Sequence, residues 1–437
     1  MSTWFRETFA SLRIPAYRTF SIAVLLNFGA LWMAIVSRGF LTFELTDSAA
    51  ALGAIFLGFG LPMLLLGPIG GVVADRYPRK LIVVISQWSF VVTNTVIAAL
   101  VIADAVEFWM IFVAAVAEGA GVALGIPARQ ALIGDLVEEE DLGNAVALQQ
   151  VSFNAVRIIA PTLAGALIAI DSVGLGGSYA LQSVGYAAAA LVMARVPVLR
   201  ARAPVEHQLS PWRSIAEGVG YVRSRPALRT LVLIAYSVEL TAFSYFVLTP
   251  AVVKDLFDGG SVALGLMTTA IAVGAFGASV VVARIADRES AWSAHIFAAF
   301  IFGPILIAFA ASPIFAVAAV VGIAVGAAET GFISLNQSLA MRYSHGEFYG
   351  RVQSVLMFGF ALNGLVGYPA GLAADAFGLR PTLIGLGAIS TVLVVIAVTY
   401  ARRIDARADA LTPSEQSSDA GVEQNVEQGA DAPAPTS

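Results

Sequence analysis

The chain has 437 residues, 58% of them apolar and 13% charged, and a soluble domain carries about twice that charged fraction. This balance excludes a water-soluble globular protein, and the absence of cysteine excludes disulfide frameworks and thiol chemistry. The net charge of −5 arises in the C-terminal segment, because residues 1–403 hold 24 bases against 23 acids.

The first seventeen residues include Arg6, Glu7 and Arg13 and lack an apolar core, so no cleavable signal peptide is expected. Beyond them, apolar runs long enough to cross a bilayer predict twelve helical spans. They fall at 19–43, 49–74, 81–103, 107–127, 144–170, 177–197, 229–251, 262–284, 292–311, 314–339, 350–374 and 380–401. An all-α polytopic membrane protein follows, with the lipid bilayer as its solvent. An even number of spans puts both termini on one side. With the N-terminus inside, cytoplasmic segments hold 21 of the 25 Lys and Arg residues. Only Lys254 and Arg380 then fall in external loops, and Arg38 and Arg157 lie within spans. The positive-inside rule therefore predicts a multi-pass membrane protein with both ends in the cytoplasm.

Taken in order, span one carries Asn27 and, near its outer end, Arg38. Arg38 either snorkels to the interface or faces a substrate. Asn27 is either a cavity polar group or an interhelical hydrogen-bond partner. Spans two and three are joined by the charged turn Gly71-Val-Val-Ala-Asp75-Arg76-Tyr-Pro-Arg79-Lys80. Span four holds Glu118 about 15 Å from its end, which is midplane depth. The segment 127–150, with Arg129 and the acidic run Glu138 to Asp141, reads as a cytoplasmic loop whose acids open the next helix. Span five carries Arg157, Pro161 and Gly165 among small residues, and Arg157 at that depth requires an acidic or carbonyl partner.

Residues 198–228 form the longest internal loop, and its stretch PWRSIAEGVGYVRS predicts a short amphipathic helix on the inner surface. Spans seven and ten each add one buried acid, Glu239 and Glu329. Ionisable groups inside spans are costly and by default mark a pathway; the alternative is a neutral acid bonded between packed helices. Glycine stripes in spans two (Gly53, Gly60, Gly67, Gly71) and eleven (Gly364, Gly367, Gly371) read as close-packing surfaces. His207, His295 and His345 map to cytoplasmic loops or a span end. The segment 404–437 has a composition too poor in apolar residues to fold and is expected to be disordered.

An internal repeat runs through this order. Arg18-Thr19 recurs as Arg229-Thr230, Leu45 and Asp47 as Leu256 and Asp258, Ala51-Leu52-Gly53 as Ala263-Leu264-Gly265, Ala74-Asp75-Arg76 as Ala286-Asp287-Arg288, and Ala117-Glu118 as Ala328-Glu329. Every offset is 211 or 212 residues, which predicts two six-span units of like orientation.

The turn at Gly71–Lys80 resembles the cytoplasmic loop signature of the major facilitator superfamily, with Pro78 where that family has Gly and Leu81 where a third base is usual. The stretch PARQALIGDLVEEEDLGNA is similar to the segment after span four in the enterobactin exporters and macrolide efflux proteins of that superfamily. Span five resembles the exporter-associated motif, with Ala twice in place of Gly. Span four resembles the proton-antiporter motif, with Glu118 for its Gln and Ala115 for its Arg.

The resemblance implies halves at 1–197 and 229–403 with 198–228 as a linker. It also implies a central cavity lined by spans one, four, seven and ten, the spans that carry Arg38, Glu118, Glu239 and Glu329. Gly71, Asp75, Arg76, Arg79 and Lys80 would form the inner gate, with Arg129 in the neighbouring charge network. The implied function is proton-coupled efflux of an amphipathic small molecule, a drug, macrolide or siderophore, with Glu118 as the proton site and Glu329 as a substrate contact. Alternatives are uptake of a small metabolite, or a receptor or assembly subunit that transports nothing. Partners are a small-molecule substrate and protons; no nucleic acid is expected, and the chain is expected to be monomeric. No nucleotide-binding loop or ligand-spaced metal cluster is present in the sequence, so no metal, cofactor or enzymatic activity is expected.

Overall fold

The computed structural model describes residues 10–197, 211–286, 288–345 and 348–409. After a 3-10 turn at Ala10–Arg13, six long helices follow: α1 (Pro15–Thr46), α2 (Ala49–Arg76), α3 (Arg79–Ile102), α4 (Phe108–Leu136), α5 (Glu139–Ile168) and α6 (Gly174–Ala194). A short helix α7 (Pro211–Ser224) comes next. Then come α8 (Pro226–Glu239), α9 (Ser244–Ala251), α10 (Ser261–Ile285), α11 (Ala291–Ala310), α12 (Phe315–Tyr343), α13 (Tyr349–Phe377) and α14 (Leu379–Asp409). Among the described residues ten helices are long and apolar enough to cross a membrane, with α8 and α9 counted as one span. Helices α6 and α13, of 21 and 29 residues, occupy the other two expected positions but are not among those ten.

Local chemistry sets the ends. Pro15 and Pro226 open their helices at the first turn, where a missing N–H costs nothing. Tyr77 is extended ahead of Pro78, so α2 stops there and α3 starts afresh. Asp47 ends α1 in the left-handed region (φ 47°), and Asp258, its repeat mate 211 residues on, takes the same conformation (φ 50°). A short polar side chain tolerates that conformation. The repeat seen in the sequence therefore extends to the backbone.

Two sequence expectations are corrected. The segment 127–150 is helical rather than a loop: α4 runs through Pro127 to Leu136, and α5 begins at Glu139. Pro127 is accommodated inside the helix. Span seven is broken, because α8 ends at Glu239 and α9 starts only at Ser244, followed by a π-helical turn over Val252–Leu256. His295 lies in the opening turns of α11, the span end expected for it, and is fully buried. In addition, α14 continues to Asp409, into the segment expected to be disordered. Residues 410–437, His207 and Asp287 lie outside the described residues. The amphipathic stretch forms α7 as expected, and Glu217 on it pairs with Arg351 of α13 at 3.5 Å.

Helices α1–α6 pack among themselves, as do α8–α14. The two sets meet mainly along α2–α13 and α5–α10. At both crossings glycine allows backbone contact: a Cβ on Gly53 would lie 2.6 Å from the Tyr368 Cα, and one on Gly265 2.7 Å from the Pro161 carbonyl oxygen. Along the rest of α2, Gly67 and Gly71 face open space. The sets thus converge at the end that carries Asp375 and separate toward the end that carries the Arg79 turn. Many large apolar side chains, among them Ile102, Val184, Phe297 and Val320, point outward from the bundle. Lipid is the solvent that accepts such a surface.

Candidate transport site

Two buried ion pairs organise the interior. In the first, the Arg38 guanidinium donates to Glu118 Oε2. The other oxygen, Oε1, accepts from Asn94 Nδ2 at 3.0 Å and from Thr93 Oγ1 at 3.2 Å. All four residues lie on α1, α3 and α4, so the cluster belongs to the first set alone. Arg38 is turned into the bundle and does not reach for the interface, and Glu118 is only 3% exposed. A carboxylate with three donors around it is a fully satisfied one.

The second pair crosses between the sets. Arg157 Nη2 on α5 donates to both oxygens of Glu329 on α12, at 3.0 and 3.2 Å. Tyr245 on α9 donates its hydroxyl to Glu329 Oε2 at 2.5 Å. The guanidinium lies 5.0 Å from the Trp32 ring centroid, a cation–π contact. Trp32 packs in turn against Phe153 and Phe246, so an aromatic wall surrounds the charge. Above it, Arg157, Phe246 and Thr268 help line a cavity of about 20 Å³, room for about one water.

Two further charges stand apart. Glu239 closes α8 at the break in span seven. Its Oε2 is buried with no hydrogen-bond partner among the described residues, beside Gly359 and the Tyr236 ring. Arg129 on α4 does not join the charged turn. Its guanidinium sits 4.7 Å from the Phe28 ring centroid and donates to Asn27 Oδ1 at 3.4 Å.

At the charged turn, Arg79 grips Asp135 at 2.7 and 2.9 Å and the Ala131 carbonyl at 3.2 Å, while Asp75 is 3.8 Å away. Lys80 donates to the carbonyls of Ala194 and Val196, closing the C-terminal end of α6, where a cation complements the helix dipole. Arg76 is exposed. At the opposite end Asp375 of α13 caps α2: Ser48 Oγ, Ala49 N and Ala50 N donate to its carboxylate at 2.6, 2.7 and 3.1 Å.

Residues 6–431 match the family described as transmembrane secretion effector. The chain belongs to that family. Its members are major facilitator transporters and not enzymes. Among the relatives, the staphyloferrin A transporter of Staphylococcus aureus (strain NCTC 8325 / PS 47) is 24% identical over 88% of this chain and 95% of its own. Macrolide efflux protein A of Streptococcus pyogenes is 28% identical over 57% of this chain and 61% of its own. The enterobactin exporter EntS of Shigella flexneri is 26% identical over 51% and 50%. These last two alignments thus span only part of the relatives' length. Among solved structures, a bacterial homologue of the human lysosomal transporter Spinster, inward-facing and unoccupied, superposes with a TM-score of 0.71 at 16% identity, over 89% of this chain and 96% of that one. The nucleoside transporter NupG gives 0.67 at 12%, over 88% and 98%. At these identities the structures establish the fold.

Within this secretion effector the singled-out residues fall into separate groups. Arg38 with Glu118, and Arg157 with Glu329, are brought together. Glu239 and Arg129 with Asn27 stay apart from both pairs. Pro161 and Gly165 lie at the α5–α10 crossing, where Ser261 Oγ donates to the Gly165 carbonyl at 3.0 Å. Gly71 faces open space. Sequence reasoning missed Tyr245, Asp135 and Asp375. Asp135 sat in plain view in the GDLV segment, but reading that stretch as a loop removed the reason to pair it with Arg79.

Proposed function

We propose that this protein is a proton-coupled exporter of an amphipathic small molecule that works by alternating access. Residues 1–197 and 229–403 act as its two rocking halves, joined by 198–228. The relatives' names favour efflux of a siderophore or a macrolide-like compound. In this reading both termini are cytoplasmic, a single chain is the working unit, and the conformer at hand opens inward, with the α2–α13 seal facing out.

The observation that carries the coupling is the Arg157–Glu329 pair. Its partners sit on opposite halves, so rocking strains it. A carboxylate can take up a proton, and a protonated Glu329 loses most of its hold on Arg157. Protonation and conformation are thereby linked at one bond. The Arg38–Glu118 cluster lies within one half and moves as a unit, so nothing in the cycle has to break it. This distribution favours Glu329 over Glu118 as the coupling acid.

The test is export by purified protein in proteoliposomes under an imposed pH gradient. Panels of siderophores and macrolides should be swept for uptake into inside-out vesicles acidified within. Accumulation that collapses when a protonophore is added supports the proposal. Transport that persists undiminished without any proton gradient rules it out.

A further inference from the structure

The charges placed within the long helices do not balance locally. Arg38 has Glu118 and Arg157 has Glu329, but Arg129 has no ion-pair partner among the described residues. Its position makes this costly. Side chains lean toward the N-terminal end of their helix, and the N-terminal end of α4 lies away from the Arg79 turn. Arg129 accordingly points into the bundle and reaches Phe28 and Asn27 of α1. Its Nε is buried without an acceptor.

The groups around it share this feature. Arg129, Asn27, Ser86, Gln87 and Phe90 help line one cavity of about 50 Å³ between α1, α3 and α4. Asn27 is 6% exposed and Gln87 3%, and both carry a polar atom, Nδ2 and Oε1, that is buried without a partner. The site thus presents a permanent cation, a spare amide donor and the Phe90 ring to one small, largely apolar space. The one hydrogen-bond acceptor of Arg129 among the described residues, Asn27 Oδ1 at 3.4 Å, is neutral. An arginine fork with no carboxylate of its own matches a planar or multi-oxygen anion brought from outside. The Phe90 ring and the apolar side chains of Leu31, Val83 and Ile126 suit a molecule whose remaining body is greasy.

We propose that Arg129, with Asn27 and Gln87, is the subsite for the anionic group of the transported molecule, a carboxylate or similar oxyanion on an amphipathic body. The inference rests on the export reading but concerns binding. The guanidinium supplies two parallel N–H donors and the Asn27 amide a third. Gln87, with its carboxamide turned, supplies a fourth.

The experiment uses purified full-length protein in nanodiscs. The probes are carboxyfluorescein, an anionic xanthene dye, and rhodamine 6G, a cationic dye on the same ring system, followed by fluorescence anisotropy. Wild type should bind the anionic dye at least several-fold more tightly than the cationic one. Arg129→Ala should weaken carboxyfluorescein binding roughly ten-fold or more, the weight of a charge-assisted hydrogen-bonded contact, and leave rhodamine 6G unchanged or tighter. Arg129→Lys keeps the charge, guards against a misfolded alanine variant, and should retain an intermediate affinity. Gln87→Leu should cost about three- to ten-fold.

Nanodiscs of neutral lipid and of phosphatidylglycerol separate a transported anion from a lipid headgroup. Dye binding that phosphatidylglycerol abolishes assigns the site to lipid and overturns the proposal. So do equal affinities in wild type and Arg129→Ala, a wild-type preference for the cationic dye, or no binding of either dye. A failure of proton-driven flux with intact, Arg129-dependent dye binding would instead strike the coupling reading alone.

Discussion

Arg157 and Glu329 meet across the junction of the two helix sets, with one guanidinium nitrogen 3.0 and 3.2 Å from the two carboxylate oxygens. Removing either partner leaves the other buried and uncompensated, a loss of about 3–5 kcal/mol in comparable pairs. Arg157→Met and Glu329→Gln should each lower the thermal unfolding temperature in detergent. The double variant should lose clearly less than the sum, because both charges then leave together. Additive losses would show that the two side chains do not act as a pair.

At the charged turn the expected division is between stability and gating. Arg79 holds Asp135 at 2.7 Å and Asp75 only at 3.8 Å. Asp135→Ala should therefore cost roughly 1.5–3 kcal/mol of stability, as charge-assisted bonds do. Asp75→Asn should abolish or strongly slow transport, since the acid at the helix hairpin serves the gate. Unfolding curves and flux on matched, well-inserted protein decide this. Wild-type flux from Asp75→Asn removes that residue from the gate.

The cap at the opposite end should act as a clasp. Asp375 belongs to α13 and accepts three hydrogen bonds from the first turn of α2 and the residue before it. Opening this side must release them. Loss of a helix cap is worth about 0.5–2 kcal/mol, enough to shift a two-state population several-fold. Because the chain has no cysteine, a single Thr249→Cys reporter beside the 20 Å³ cavity reads accessibility without background. Asp375→Ala should speed its labelling by an external, membrane-impermeant maleimide several-fold. Unchanged labelling would mean that the seal rests on the glycine contacts alone.

Orientation is tested the same way. A tag placed at Gly259-Gly260 should be reached by antibody on intact cells, and one on α7 only after permeabilisation. Surface staining of an α7 tag would reverse the topology.

Much of this was legible in the residues. Uninterrupted apolar runs fix helices of membrane length, and charges inside them stand out because each is expensive. The depth of Arg157 within its apolar run is enough to require a partner. The partner's identity was not readable. Glu118 and Glu329 are repeat mates, yet one meets an arginine from its own half and the other an arginine from the opposite half. Sequence spacing carries no information about contacts between helices 172 residues apart. The break after Glu239 was hidden because Leu240-Thr-Ala-Phe carries no charge and lacks glycine or proline. The continuation of α4 past Pro127 was hidden for the opposite reason, because proline usually signals an end.

The last prediction separates the two repeat-related acids. Sequence motifs alone assign the proton to Glu118 and the substrate to Glu329. The geometry argues for moving the proton to Glu329 and leaving Glu118 as a fixed ion pair. Glu118 is held by Arg38, Asn94 and Thr93 within one half, so its environment is the same in every state that keeps that half intact. A group whose surroundings do not change has no reason to change its proton occupancy during the cycle. Glu329 is held by Arg157 from the other half, and any rocking alters that contact. Only such a group can link protonation to conformation.

Glu329→Gln fixes the neutral form, so its export should lose dependence on the imposed pH gradient while dye binding at Arg129 persists. Glu118→Gln should lower stability, because Arg38 is left without its counter-charge, and keep the wild-type pH response. Export measured at several external pH values, with the internal pH held constant, compares the slopes directly. A wild-type slope from Glu329→Gln would remove it as the coupling acid. The burden would then pass to Glu239, whose Oε2 has no hydrogen-bond partner among the described residues and which sits at the break in span seven, where a shift of α8 against α9 would alter its surroundings.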